Sequence, residues 1–322
     1  MNFFLKTAFK SKRFRLSFIT LSIILLLNII IPLVSKVDPM SMDGVHFERP
    51  NLFEFYKTEK DAEAVPAGNA EVDEAAAALM AQFGIVSSKR EAPPKKLRIL
   101  GTDNFGRDML AQLLAGTRTS LYIGIMAGLI STSIGLTLGL IAGFKGGMVD
   151  NVLSSIINTV IVIPSFVILI LISVSVRTRS FVTMALIIGV TSWPWTARAV
   201  RSQTISLRNR DHVNLSRLSG HSMPRIITKD VLPYIASYVV TTFIAQMASG
   251  ILSEARLSML GLGPHNVASL GLLMSWAMNF SALPNGAWWA FLPVLVVIAV
   301  ITFSLNILNS GLDEIYNPQL RS

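Results

Sequence analysis

Long apolar stretches recur along the chain and alternate with polar segments. They occupy residues 16–34, 120–144, 149–176, 181–197, 234–252 and 288–308. The first stretch has nineteen residues and no charge, and a helix of that length spans about 28 Å, close to the hydrocarbon thickness of a bilayer. Because backbone polar groups in lipid need internal partners, stretches of this kind fold as helices. The pattern predicts an all-α polytopic membrane protein with six transmembrane helices.

The second stretch carries glycines at a regular spacing. Gly135, Gly139 and Gly143 recur every four residues and therefore share one face of a helix. In lipid, small residues on one face allow two helix backbones to approach closely. The spacing favours helix packing at this face over the lining of a pore.

Two prolines interrupt later stretches. Pro164 lies inside the third stretch and removes a backbone hydrogen bond, which predicts a kink. Pro194 lies between Trp193 and Trp195 near the inner end of the fourth stretch. Tryptophan is enriched at membrane interfaces, so an interfacial anchor explains this pair at least as well as contact with a ligand does.

Charge divides the polar segments between two sides of the membrane. Five basic residues and no acid precede the first stretch, whereas residues 36–98 hold eleven of the nineteen acids. Positive charge collects on the cytoplasmic side, so both termini are expected there, in a cell (inner or plasma) membrane. The predicted division is a cytoplasmic tail 1–15, transmembrane helix 16–35, an extracytoplasmic insert with a pre-helix 36–119, a core domain 120–308 with a cytoplasmic loop 203–233, and a cytoplasmic tail 309–322.

Composition supports this class. The chain is 52% hydrophobic and 15% charged, with a mean hydropathy of +0.56, whereas soluble chains carry about 25% charged residues. Its net charge of +9 lies in the N-terminus and the loops rather than on a solvated domain, which argues against a nucleic-acid partner. The chain has no cysteine, so disulfides and thiolate metal sites are excluded.

The extracytoplasmic insert contains one candidate helix. Asn69 can cap a helix that ends at Gly84, with Leu79 in the middle of an apolar stripe over residues 72–83. Packing of this stripe on its own subunit is the favoured interpretation. Contact with an external partner is the alternative.

Ionisable residues flank two of the spans. Asp103 and Arg107 are four apart and can pair on a helix that Thr102 or Asp103 caps. Since no nucleophile or metal cluster accompanies them, we expect a gate or packing role rather than acid–base chemistry. Glu254 and Arg256 lie at the edge of the fifth span and, two residues apart, do not face each other on a helix.

The cytoplasmic loop is strongly basic. Residues 198–229 contain six arginines and one lysine against a single acid, Asp211. Val213, Leu215 and Leu218 give an apolar face at roughly helical spacing, and Gly220 offers a stop signal. The pattern predicts a short helix that lies under the membrane and is presented to a partner.

The loop also resembles a known family. Arg210-Asp211-His212-Val213, then Arg217, Gly220 and Leu232-Pro233 resemble the cytoplasmic "EAA" loop of binding-protein-dependent ABC importer permeases. Four further blocks follow the family's order: GTDNFGRDML (101–110), GLIAGFKGGMVD (139–150), SWPWTARAVRSQ (192–203) and SEARLSMLGLG (253–263). The resemblance covers residues 100–318 and is closest to the second permease subunit of oligopeptide and dipeptide importers.

The resemblance implies a type I ABC importer permease fold and a set of functional residues. Those that couple to an ATPase would be Arg210, Asp211, His212, Val213, Leu215, Ser216, Arg217, Leu218, Gly220, Leu232 and Pro233. Those that form gates or pack helices would be Asp103, Arg107, Gly135, Gly139, Gly143, Pro164, Pro194 and Glu254. The implied partners are a homologous permease, two cytoplasmic ATPases that bind ATP and Mg²⁺, an extracytoplasmic substrate-binding protein and membrane lipid.

The sequence carries no catalytic motif of its own. It has no Gly-Lys dipeptide for a phosphate loop, no HExxH and no Gly-x-Ser-x-Gly, so we expect no enzyme, cofactor or metal site. Its spans hold essentially no acids away from their ends, which favours an ATPase partner over ion coupling. Three alternatives stay open: import of oligosaccharides or nickel, an ion-coupled transporter or channel acting alone, and a membrane-anchored enzyme.

Overall fold

The computed structural model describes residues 11–35, 38–44, 46–51, 98–176, 178–265 and 267–316, without the side chains of 32–35 and 315–316. These residues are mostly helical and contain no strand beyond one isolated bridge, between Thr102 and Asp108. The helix predicted over residues 71–84 lies outside the described residues.

Ten α-helices follow one another in the described chain. They are α1 Lys12–Ser35, α2 Met109–Lys145, α3 Gly147–Val162, α4 Ser165–Ser175, α5 Phe181–Arg208, α6 Asp211–Leu218, α7 Met223–Ile226, α8 Leu232–Met259, α9 Leu270–Asn279 and α10 Leu292–Tyr316. A π-helical turn, Ile227–Val231, joins α7 to α8. A 3₁₀ turn, Trp288–Ala290, precedes α10.

Four of the described helical segments are long and apolar enough to cross a membrane. They are Lys12–Ile31, Met109–Lys145, Met223–Met259 and Trp288–Glu314, and the pair α3 and α4 makes a fifth if it is one span. Helix α5 is not among them, because its uncharged run is only seventeen residues long, 181–197, and ends at Arg198. The described residues therefore contain four or five candidate spans. The predicted number of six transmembrane helices remains a prediction.

The third span is not a kinked helix. Helix α3 ends at Val162, α4 begins at Ser165, and the two axes differ by 85°. Pro164 stands at the break, where its carbonyl accepts the first hydrogen bonds of α4 from the N–H groups of Val167 and Ile168. The proline therefore starts a new helix instead of bending an old one.

Helix α2 is the centre of the fold. It packs against α5 and α8, while α10 packs against α1 and α8. Its N-terminus is capped by Asp108, whose carboxylate accepts a hydrogen bond of 2.8 Å from the Ala111 N–H. The predicted cap at Thr102 or Asp103 is therefore wrong.

Several helices extend beyond the apolar stretches that predicted them. Helix α2 begins at Met109 rather than residue 120, α5 runs past residue 197 to Arg208, and α10 runs past residue 308 to Tyr316. Outside lipid a polar residue can continue a helix. Hydropathy therefore gives the membrane-spanning part and not the whole element.

Candidate functional site

Helix α6 lies in the loop between α5 and α8, and one apolar side chain packs it against the other helices. Val213 has no exposed surface and belongs to an inner apolar cluster with Leu140, Phe144, Val200 and Ile235. That cluster joins α2, α5 and α8 at the same end of the molecule. Val213 therefore anchors α6 to its own subunit.

The other two apolar residues of α6 point away from the protein. Leu215 is 67% exposed and Leu218 is 86% exposed. On a helix with 100° per residue, positions 215 and 218 lie about 60° apart and both are roughly opposite position 213. The predicted single face of Val213, Leu215 and Leu218 is wrong: one residue faces inward and two face outward.

Polar contacts hold the inward side of α6. The hydroxyl of Ser216 donates to Asp230 at 2.6 Å and lies 2.9 Å from Nδ1 of His221. The ring of His212 stacks on Tyr234 with centroids 4.6 Å apart, and its Nε2 lies 3.2 Å from the Asp230 carbonyl oxygen. These contacts tie α6 to the turn that leads into α8, where Leu232 and Pro233 form the first residues.

Gly220 ends the helix segment. Its φ is +76°, a conformation that side chains with a Cβ adopt only with strain. Its N–H donates to the Arg217 carbonyl, and the His221 N–H donates to the Ser216 carbonyl. The predicted helix stop at this glycine is confirmed.

A basic cavity of about 520 Å³ lies beside α6. Lys145, Arg208 and Arg217 contribute to its lining, and the Arg217 guanidinium lies 4.8 Å from the centroid of the Phe144 ring. Arg210 and Asp211 lie at the exposed start of α6. Helix α6 therefore begins and ends next to positive charge.

At the opposite end of α2, Asp103 and Arg107 form a buried ion pair. Nη2 of Arg107 lies 2.7 Å from Oδ2 of Asp103, and the side chains are 4% and 5% exposed. The guanidinium packs between the rings of Phe105 and Trp276, 4.4 Å and 4.0 Å from their centroids. The carboxylate of Asp103 also accepts a hydrogen bond of 2.9 Å from the Arg107 N–H. The ion pair therefore closes a non-helical turn before α2 and does not link two residues of one helix.

Glu254 is fully buried between three elements. Its carboxylate accepts hydrogen bonds from Ser120 of α2 at 3.0 Å, from Ser258 of α8 at 2.7 Å and from Ser269, the cap of α9, at 2.6 Å. Ser120 in turn accepts the Leu270 N–H at 3.0 Å. Glu254 therefore links three elements of the fold. Its hydrogen-bond partners cannot be predicted from the positions of these residues in the sequence.

The glycines of α2 lie at its crossing with α5. A Cβ on Gly139 would be 2.7 Å from the Ala197 carbonyl oxygen, and one on Gly135 would be 2.5 Å from Cβ of Thr196. Gly143 approaches Thr204 in the same way. These positions pack two helices, as the four-residue spacing indicates.

Pro164 and Pro194 line one cavity. It has a volume of about 520 Å³ and lies between the α3–α4 break, α5 and α8. Sequence reasoning missed the α8 residue Gln246 on its wall, and likewise Asp230 beside α6. Both are polar residues whose role depends on which helix packs opposite, so no local signal marks them.

The chain is similar in sequence to one family of membrane proteins. The family of binding-protein-dependent transport system inner membrane components matches residues 135–321. The oligopeptide transport system permease protein OppC of Bacillus subtilis (strain 168) is 32% identical over 232 residues, 72% of this chain and 75% of that protein. The dipeptide transport system permease protein DppC of the same organism is 31% identical over 235 residues, 73% and 72% of the two chains. A solved inward-facing structure of the MetNI methionine ABC transporter aligns with a TM-score of 0.48 and 18% identity, over 63% of this chain and 97% of that one.

Proposed function

The chain belongs to the family of binding-protein-dependent transport system inner membrane components, and from this premise we propose that it is a permease subunit of an ATP-driven peptide importer. It is a multi-pass membrane protein with several apolar helices. Its relatives named for oligopeptide and dipeptide transport support peptides as the cargo. In this role the chain forms half of the translocation pathway, with a type I importer fold and six spans.

The outward side of α6 carries the proposal for coupling. Leu215 and Leu218 are large apolar side chains on an eight-residue helix that is otherwise held to its own subunit. Exposed apolar residues on a rigid, positioned helix fit insertion into a cleft of a partner. We assign this face to a cytoplasmic ATPase subunit, so that closure of the ATPases moves α6 and, through Val213, the inner cluster of helices.

Charge beside α6 supports the same partner. Lys145, Arg208 and Arg217 line a basic cavity beside α6, so an acidic rim on the ATPase would match it. The chain then works with a homologous permease, two ATPases that bind ATP and Mg²⁺, and an extracytoplasmic binding protein that delivers the substrate. Both termini lie in the cytoplasm, and the chain itself is not an enzyme.

The experiment is to purify the complex and to measure the ATPase that comes with it. Leu218→Glu should release the ATPase, because a carboxylate in an apolar cleft is left unpaired and costs several kcal/mol. Binding-protein-stimulated ATP hydrolysis should be lost with it. The membrane level of the variant should stay normal, since Leu218 makes no buried contact in its own subunit.

Gln203→Glu is the matched control. It makes the same change in charge at an exposed position of α5, outside α6, and should leave ATPase binding and hydrolysis unchanged. Normal binding and hydrolysis with Leu218→Glu would show that α6 is not the coupling helix. A complex that purifies without any ATPase would favour the ion-coupled or channel interpretation.

A further inference from the structure

The cavity between the α3–α4 break, α5 and α8 lies at membrane depth. Gln246 and Ser249 of α8 stand within the predicted span 234–252, and Ser192 stands within 181–197. The volume of about 520 Å³ is within the range of about 300–1,000 Å³ of small-molecule sites. Ser165 and Ser249 on its wall are exposed, so the cavity opens to the surface of the chain.

The wall offers hydrogen-bonding groups that the chain itself does not use. The hydroxyls of Ser165, Ser192 and Ser249 make no hydrogen bond with the described residues. By contrast, the exposed Thr137 and Thr159 donate to carbonyls of their own helices, each at 2.8 Å. A hydroxyl without a partner is unfavourable against lipid. These serine hydroxyls are therefore available to a polar partner.

Backbone geometry leads to the same conclusion. The last carbonyls of α3 have no partner within the helix, and no capping hydrogen bond closes its end at Ile163. Broken helices at membrane depth occur where the free backbone groups are buried in protein or line a water-filled cavity. Here Val160 and Ile161, the residues before the break, line the cavity.

The chemistry of the wall is uncharged. Gln246 donates from Nε2 to the Ser192 carbonyl at 3.2 Å and to Oγ1 of Thr196 at 2.9 Å, and its Oε1 accepts nothing from the described residues. Serine hydroxyls and an amide oxygen supply both a donor and an acceptor, which a peptide group requires. The described lining contains no Asp, Glu or His, so it offers no carboxylate or imidazole ligand for a metal ion such as nickel.

We propose that this cavity is the chain's share of a peptide-contacting surface in the translocation pathway, where Ser165, Ser249 and Gln246 hydrogen-bond to the backbone amides of a peptide in transit. The proposal rests on the proposed function. It deepens that function by naming the contact residues. Because the backbone amide is common to all peptides, such a surface would bind peptides of many sequences and would discriminate little among them. The exposed ring of Trp195 adds an apolar surface for side chains.

The experiment uses the cysteine-free background of this chain. Ser249→Cys is introduced into the full complex, with any reactive cysteines of the other subunits replaced, and is modified with a bulky water-soluble maleimide. Mass spectrometry confirms the adduct. The rate of uptake of a labelled oligopeptide should then fall about tenfold, which corresponds to about 1.4 kcal/mol in free energy. Binding-protein-stimulated ATP hydrolysis should continue. A large excess of the peptide with its binding protein should slow the modification.

Thr137→Cys is the matched control. It is an exposed hydroxyl residue of α2 that bonds to its own helix and does not line the cavity, so its modified form should transport normally. Normal uptake by modified Ser249→Cys would overturn the inference and leave the proposed function intact. So would failure to modify Ser249→Cys in any nucleotide state, since the face would then be buried against another subunit. A complex that takes up no peptide before modification would contradict the proposed function itself.

Discussion

Glu254 shows how one buried residue can hold distant parts of the chain together. Its hydroxyl partners Ser120, Ser258 and Ser269 come from three elements. Ser120 is 134 positions away in sequence. The sequence places Glu254 at the edge of a span but gives no means of finding the three serines. Only the packing of α2, α8 and the start of α9 brings them to one carboxylate.

We predict that Glu254→Leu destabilises the complex more than Glu254→Gln does. Leucine leaves three buried hydroxyls without their acceptor, and each such loss costs about 1–3 kcal/mol. Glutamine keeps one oxygen for Ser258 and Ser269, and its amide can donate to the hydroxyl of Ser120. The temperature at which the purified complex loses its folded state should fall in the order wild type, glutamine, leucine. A leucine variant as stable as wild type would contradict this role.

At the scale of elements, sequence patterns predict more than they do at single residues. The apolar runs give α1, α2, α8 and α10, and the loop pattern gives α6 and its stop at Gly220. They do not give which side of α6 is buried. Val213, Leu215 and Leu218 are separated by two and three positions, so they cannot share one helical face. Which of them is buried depends on α2, α5 and α8, which pack against only one side.

The α2–α5 crossing gives a prediction at this scale. Gly139→Leu should separate the two helices, because even a Cβ at this position would lie 2.7 Å from the Ala197 carbonyl oxygen and 2.8 Å from Cβ of Val200. Overpacking of this kind costs roughly 1–3 kcal/mol. Thermal inactivation of the purified complex measures the loss, with Thr137→Leu on the exposed side of α2 as control. Equal inactivation temperatures for the two variants would contradict the close crossing.

At the scale of the whole molecule, the charge asymmetry predicts the orientation in the membrane. Met42, which is 65% exposed, lies in the acidic segment near the start of α2. Asn209 is exposed near its other end. Thirty-seven residues of α2 separate the two ends by about 55 Å, more than the hydrocarbon thickness.

A thiol reagent that does not cross membranes tests the orientation. With single cysteines in the cysteine-free chain, Met42→Cys should react in intact cells, whereas Asn209→Cys should react only after the cells are opened. The basic loop around Asn209 is expected on the inside. Reaction of both variants in intact cells, or of Asn209→Cys alone, would contradict the predicted topology.

The central proposal is that ATP hydrolysis by partner subunits drives peptides through this chain. The most direct measurement is uptake of a labelled oligopeptide by liposomes that contain the complete complex, with the binding protein outside and ATP inside. We predict that peptide uptake requires both ATP and the binding protein and does not respond to an imposed ion gradient. Labelled oligosaccharide and nickel should not be taken up under the same conditions. Peptide uptake driven by an ion gradient without ATP, or ATP-driven uptake of the sugar or the metal alone, would contradict the account.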